Sequence, residues 1–409
     1  MDNIAGSPVQ GDNFFGREKV VAQLVDILAN DDILLLGPRR IGKTSAARAV
    51  MELVRQNGWR AIEINVAACT AESGFLDTLT TALKRESDSI AGKVLDGLRE
   101  GIAAIGGRIK SVKFPVPGGS VGVDLNAAAE EDWTKVASDL LVLISSLGEP
   151  WLIYVDELPI LLFNIIRNDP KTGVQRVRRF LDWFRNDVRA LPGAKQVRWL
   201  ISGSVGLDTL VQEHGMADTI NSLNHQGLDA FTEAQAGEML RVLSDRYKLE
   251  LAAEDLARIV AAVQWLQPYY LQVTFHHLRS LMDMHPALAP AGLIDKAIDH
   301  YVQPGADNDF HHWEQRLSLQ LPPRDAGHAV ALLSMAAASP DGARAESLLA
   351  ALHERMPEAG ADEARRCFIR LRDILQRDAY WWPDEGGGSR RYRFRLEPLR
   401  RWWLRRNTL

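Results

Sequence analysis

Along the first two hundred positions, apolar residues gather in short runs separated by stretches of helical periodicity. Ile33–Leu36, Ala61–Val66, Trp151–Val155 and Val197–Ile201 have strand length. Runs of this kind suit strands covered on both faces. Thr44–Gln56 follows the first run with helical spacing. Strands alternating with helices predict a parallel sheet with crossover helices.

A long interval separates the second run from the third. Ile90, Val94, Leu98 and Ile102 recur at helical spacing. Val112, Phe114 and Val116 then alternate, Pro117-Gly118-Gly119 offers a turn, and Val121, Val123 and Leu125 alternate again. The pattern predicts a helix and a β-hairpin inserted at about 85–130.

From about Phe231 the strand signals stop. Thr232 is a predicted N-cap, with Gln235 completing a capping box. A helical region runs from there to about Tyr301, and Gln303–Asp309 has the composition of a linker. Three helix-patterned segments follow, near 325–338, 344–355 and 361–376. A two-stranded pattern, Ala379–Trp382 and Arg391–Leu396, flanks a Gly-rich turn. Three helices and a hairpin are the parts of a winged helix-turn-helix. The expected organisation is therefore an α/β sheet domain over 1–230, a helical lid over 231–303 and a winged-helix-like domain over 304–409.

Composition narrows the class. A hydrophobic share of 46% and a charged share of 25% exclude large-scale disorder. The net charge of −5 argues against a chain built as a whole to coat nucleic acid or anionic membrane. The charge is uneven, however. Eight arginines (390, 391, 393, 395, 400, 401, 405 and 406) face one acid, Glu397, at the C-terminal end. Two cysteines, Cys69 and Cys367, make neither a disulfide framework nor a Cys-rich zinc site, which fits a reducing compartment. No apolar run approaches the ~20 residues that span a bilayer. The N-terminus lacks a signal-peptide pattern, so a cytoplasmic chain with no membrane partner is expected.

The chemistry concentrates in two motifs. Gly37-Pro38-Arg39-Arg40-Ile41-Gly42-Lys43-Thr44 is a complete G-x-x-x-x-G-K-[ST] between a strand and a helix, with Ser45 continuing it. Its glycines let backbone N–H groups turn inward around phosphate oxygens, and the helix N-terminus adds a favourable dipole. Lys43 would reach the β- and γ-phosphates of ATP, and the Thr44 hydroxyl would ligate Mg²⁺. The second motif, Trp151-Leu-Ile-Tyr-Val-Asp156-Glu157, is an apolar strand ending in two acids. Asp156 would hold Mg²⁺ through water, and Glu157 would orient and activate the attacking water. Together they point to hydrolysis of ATP to ADP, with water rather than a substrate hydroxyl as acceptor. Val197–Ser204 is a strand ending in small polar residues. Ser202 and Ser204 are candidates for contacting the γ-phosphate or the lytic water, and a simple strand-closing turn is the alternative.

Set in order, these residues resemble a known family. Phe14-Phe-Gly-Arg-Glu18, the Gly-Pro-Arg-Arg-x-Gly-Lys-Thr-Ser loop, Asp-Glu-Leu-Pro and Ser-Gly-Ser resemble the archaeal-type STAND ATPases of the AAA+ class. These are relatives of the origin-recognition ATPases. Pro268-Tyr-Tyr-Leu-Gln272 and the Arg393–Trp403 ending extend the likeness over nearly the whole chain. The resemblance implies a P-loop NTPase sheet followed by a helical lid and a winged-helix-like domain. It implies that Phe15, Gly16 and Arg17 lie against adenine and ribose, and that Pro268 is the lid proline set against the base. Where the family carries glycine before that proline, this chain has Trp265-Leu-Gln267. Self-association on activation is also implied.

Other features stay open at this level. Arg176, Arg178, Arg179 and Arg185 are candidates for a trans-acting arginine finger, or a solvated helix face. The pairs His276–His277 and His311–His312 lack zinc-type spacing. Arginines in 361–376 and 390–406 have the charge footprint of a duplex-DNA reader. The same charge suits a protein partner or intramolecular packing around Trp402 and Trp403. Three functions follow: an ATP-driven regulatory switch, an ATP-dependent DNA-binding initiator or transcription regulator, and a nucleotide-gated protein scaffold.

Overall fold

Five strands, β1 (Ile33–Leu36), β2 (Arg60–Asn65), β3 (Trp151–Asp156), β4 (Val197–Gly203) and β5 (Asn224–Gly227), pair in parallel in the order β2-β3-β4-β1-β5. The computed structural model describes residues 1–88, 114–116, 119–121, 128–145, 148–203, 206–384 and 390–407. Every residue of β3 is buried, as its unbroken apolar run predicts. β5 escapes the sequence pattern. Its residues, Asn-His-Gln-Gly, carry no apolar signal because the strand lies at the sheet edge, paired among the described residues only to β1. Asp32 stitches this corner. Its carboxylate accepts from the Trp199 N–H at 3.0 Å, and its carbonyl accepts from the Asn224 N–H at 2.8 Å.

The chain divides into two compact units, each with its own core. The sheet unit comprises Arg17–Gly37 and Lys43–Leu228. Its core packs Ile153, Val155 and Ile201 against Phe75, Trp133, Phe180 and Trp183 from flanking helices. Helix Lys43–Gln56, which follows β1, is tied to β2 by a two-pronged pair in which Arg48 donates to both Glu63 oxygens at 2.8 Å. In the inserted region, Phe114–Val116 and Gly119–Val121 pair antiparallel. The predicted helix at Ile90–Ile102 lies outside the described residues.

The helical unit comprises residues 1–16, 38–42 and 229–409. Thr232 caps helix Glu233–Tyr247 with the predicted box: the Gln235 N–H donates to the Thr232 hydroxyl at 3.2 Å, and the Thr232 N–H donates to the Gln235 side chain at 3.0 Å. Helices Ala253–Val263, Pro268–Met284 and Ile294–Tyr301 complete the first half. The second half runs through helices Asn308–Gln320 and Pro323–Ala337, strand β6 (Ala343–Arg344), and helices Ala345–Glu354 and Ala361–Arg377. It continues through strands β7 (Trp381–Asp384) and β8 (Arg391–Phe394) to helix Glu397–Asn407. The strands form an antiparallel sheet in the order β6-β8-β7. Among the described residues, five helices and this small sheet make up the second half. The closing helix is not evident from the Arg-rich sequence, because Trp402 and Trp403 supply its buried face.

The segment with linker composition is tied down at its C-terminal end. Asp307 accepts from the Trp402 indole N–H at 2.8 Å, and helix Asn308–Gln320 begins at the next residue. The basic C-terminal end is likewise spent on the unit's own surface. Arg400 pairs with Glu397 at 2.7 Å, Arg401 with Asp295 at 2.7 Å, Arg405 with Asp299 at 2.9 Å and Arg406 with Glu314 at 2.7 Å. Arg395 stacks over the Trp265 ring at 4.5 Å.

Candidate functional site

The sheet order decides which strand ends meet. β4 lies between β1, which feeds the glycine-rich loop, and β3, which ends in Asp156. Side chains at the C-terminal ends of these three strands therefore face one crevice, where parallel sheets hold their ligands. Thr44, on the first turn of the helix after the loop, donates its hydroxyl to Asp156 Oδ2 at 3.1 Å. Ser202, fully buried on β4, donates to Asp156 Oδ1 and lies 3.2 Å from the Tyr154 hydroxyl. Burial, then the neighbouring Asp156 charge, pushes the Tyr154 phenol far above its ordinary value, so it stays a neutral hydroxyl. Lys43 is buried, and its ammonium donates to the Gly37 carbonyl at 2.7 Å.

The loop has the backbone its glycines permit. Gly37 at φ 156° and Gly42 at φ 101° occupy conformations that L side chains rarely adopt. Arg40, between them, also has positive φ, 69°. Glu157 is a second non-glycine in the left-handed region, at φ 61° and ψ 38°, just ahead of helix Leu158–Asn168. Such backbone costs about 1–3 kcal/mol and collects at functional sites.

Gly203 has a different reason to be glycine. A Cβ there would stand 2.8 Å from Pro159 Cγ and 3.2 Å from its Cδ. The proline ring is rigid and opens the helix that follows Glu157, so it cannot turn aside. Gly203→Ala is expected to destabilise the sheet unit by about 1–3 kcal/mol, as overpacking does. A lowered urea midpoint of that unit is the measure, and an unchanged midpoint would show that the helix start yields.

The other candidates each have a setting of their own. Ser204 lies outside the described residues. Ser45 and Ile41 are buried, as is Arg17. Phe15 packs on the helical unit's core, edge-on to Phe231 with centroids 6.3 Å apart. The Gly16 carbonyl accepts from Gln235 Nε2 at 2.7 Å. Pro268 is the first residue of its helix. The residue before it, Gln267, is wholly buried with both side-chain polar atoms lacking hydrogen-bond partners. Among the arginine-finger candidates, Arg176 pairs with Glu72, Arg178 with Asp182 at 3.0 Å and Arg185 with Asp218 at 2.7 Å, and Arg179, which is exposed, also has an interaction of its own. No His/Cys/Asp/Glu group suited to a metal ion occurs among the described residues. No helix among them is long and apolar enough to cross a membrane.

One interaction lies beyond the reach of the sequence motifs. Arg40 ion-pairs with Asp309, donates to the Gly6 carbonyl at 3.0 Å and stacks over the Tyr269 ring at 4.3 Å. Nothing in the glycine-rich pattern signals partners more than two hundred residues away.

No protein-family model matches the chain, and no curated protein matches it in sequence. Solved structures do resemble it. A Walker-type ATPase of Pyrococcus abyssi aligns over 98% of this chain and 99% of its own, at 15% identity and a TM-score of 0.65. The ADP form of the Aeropyrum pernix ORC2 protein aligns over 95% and 93%, at 13% identity and a TM-score of 0.49. The RuvB Holliday junction branch migration motor of Thermotoga maritima aligns over 93% of each chain, at 11% identity and a TM-score of 0.40. The P. abyssi protein aligns over nearly the whole of both chains, so this chain has the fold of that Walker-type ATPase.

Proposed function

We propose that the protein is an ATP-binding and ATP-hydrolysing switch whose nucleotide state controls the winged-helix-like part of the helical unit. The observation that carries this reading is the meeting of Thr44, Asp156 and Ser202 on one crevice beside a loop ending in Lys43. Hydroxyl and carboxylate oxygens 3.1 Å apart are the hard donor set that suits Mg²⁺. The ion would be held by Thr44 and Asp156, and would neutralise phosphate charge when bound. Lys43 supplies a positive charge to the β- and γ-phosphates and is already held against its own loop. Ser202 fixes the orientation of the Asp156 carboxylate. Glu157, next in sequence, accepts a proton from the attacking water. ATP and ADP bias such a switch only through different affinities for its two states.

The test is ATP turnover by the full chain, with Lys43→Ala alongside, each with and without duplex DNA. Lys43→Ala is expected to lose ATP binding and turnover together. Equal turnover in both proteins would refute the assignment of the loop.

The DNA arm addresses the partner. On helix Ala361–Arg377, Arg365 and Arg366 are exposed beside Ile369, whereas Arg370 pairs with Asp325 at 2.6 Å and Arg372 with Asp373 at 2.6 Å. With the C-terminal arginines also paired, less positive charge is available than the sequence count suggests. We therefore favour a protein partner, or a second copy of the chain, over duplex DNA. DNA-stimulated turnover with a steep salt dependence would reverse that preference.

A further inference from the structure

Arg40 occupies the middle of the glycine-rich loop, three residues before Lys43, yet its side chain is committed to the helical unit. Its Nη1 donates to the Gly6 carbonyl at 3.0 Å, its Nη2 donates to Asp309 Oδ1, and its guanidinium lies 4.3 Å from the centre of the Tyr269 ring. The Tyr269 hydroxyl donates to the other Asp309 oxygen, so both carboxylate oxygens are engaged. Residue, ring and carboxylate form one seat, reached from three segments of the chain that belong to the same unit. Tyr269 directly follows Pro268, and Asp309 is the second residue of helix Asn308–Gln320. The seat is therefore wired to the start of two long helices.

The seat does not satisfy the guanidinium. Arg40 Nε is buried and has no hydrogen-bond partner, although arginine carries five donors in a fixed fork. The residue also keeps a left-handed backbone, φ 69°. A phosphate would offer what the seat lacks, since planar bidentate recognition of phosphate is what arginine does best. The loop that carries Arg40 is the one assigned to phosphates, so the two anions, Asp309 and nucleotide phosphate, draw on one cation.

We propose that Arg40 is a latch shared between these two anions, so that nucleotide phosphate and the Asp309–Tyr269 seat compete for it. This inference rests on the nucleotide-site reading above. Nucleotide binding withdraws Arg40 from Asp309 and releases the starts of helices Pro268–Met284 and Asn308–Gln320. Reciprocally, the seat weakens nucleotide binding, because coupling between two sites acts equally in both directions.

The sign follows directly. Asp309→Asn removes the charge that holds Arg40 and should tighten binding of Mg-ATPγS by about five- to tenfold, at the low end of common coupling strengths. Calorimetric titration of the full chain reads it, with the fitted stoichiometry reporting the folded fraction. In an Arg40→Gln background the Asp309→Asn change should have no effect on affinity, because the shared cation is gone. Tyr269→Phe removes the hydroxyl that braces Asp309 and should act in the same direction more weakly, which keeps the test available should Asp309→Asn fold poorly.

Unchanged or weaker binding by both Asp309→Asn and Tyr269→Phe, with wild-type binding still abolished by Lys43→Ala, would overturn the latch and leave the nucleotide site intact. Wild-type binding that is absent, or indifferent to Lys43→Ala, would overturn the nucleotide site and the latch with it.

Discussion

Glu157→Gln is expected to bind ATP as tightly as the wild type and to turn it over about 10²–10⁴-fold more slowly, the range spanned by loss of a general base. The substitution keeps the side chain's shape while removing its capacity to accept a proton. Lys43, Thr44 and Asp156 are left in place, so the residues proposed to hold nucleotide and metal are undisturbed. Backbone conformation separates this effect from simple damage. Glu157 holds φ 61° at the entrance to helix Leu158–Asn168, which costs a residue with a Cβ about 1–2 kcal/mol. Glycine suffers no such strain. Glu157→Gly should therefore match Glu157→Gln in lost turnover while folding at least as stably. Single-turnover hydrolysis and a denaturation midpoint, measured on both variants, read the two effects apart. Wild-type turnover by Glu157→Gln would mean that another group activates the water.

The parts legible in the sequence are those set by local rules. Ile33–Leu36 and Trp151–Asp156 declare themselves as buried strands because no polar position interrupts the apolar run. The Thr232–Gln235 box is legible because both of its hydrogen bonds span three residues. The loop glycines likewise announce a backbone that only they adopt readily. What escapes is set by distant partners. β5 is held by its pairing to β1 rather than by apolar side chains. Arg40 looks like any loop arginine until the fold sets Asp309 beside it. The C-terminal arginines read as a basic surface because the acids that neutralise them, Asp295, Asp299 and Glu314, are about a hundred residues earlier. The meeting of Ser202 with Asp156 depends on β4 lying beside β3, which strand composition does not specify.

The same C-terminal segment yields the largest expected effect on stability. Trp402→Ala should destabilise the helical unit by about 3–5 kcal/mol, the usual range for removing a buried tryptophan. The indole is 2% exposed and stacks on Phe310 with centroids 5.9 Å apart. Its N–H donates to Asp307 at 2.8 Å. Burial alone would raise the Asp307 carboxyl, but the Trp402 N–H and nearby backbone donors outweigh it and hold the group below the ordinary carboxylate range. A carboxylate depressed by folding contributes stability at neutral pH, and that contribution disappears as pH falls through its folded value. Trp402→Ala should therefore also flatten the acid limb of stability against pH. Arg406→Ala is the matched control. It breaks a half-exposed pair with Glu314, and such pairs contribute about 0–1 kcal/mol. A large loss in Trp402→Ala with little change in Arg406→Ala would mark the C-terminal helix as a packed part of the helical unit. Comparable small losses in both would mean that the helix detaches easily, and its arginines would again be available to an external anion.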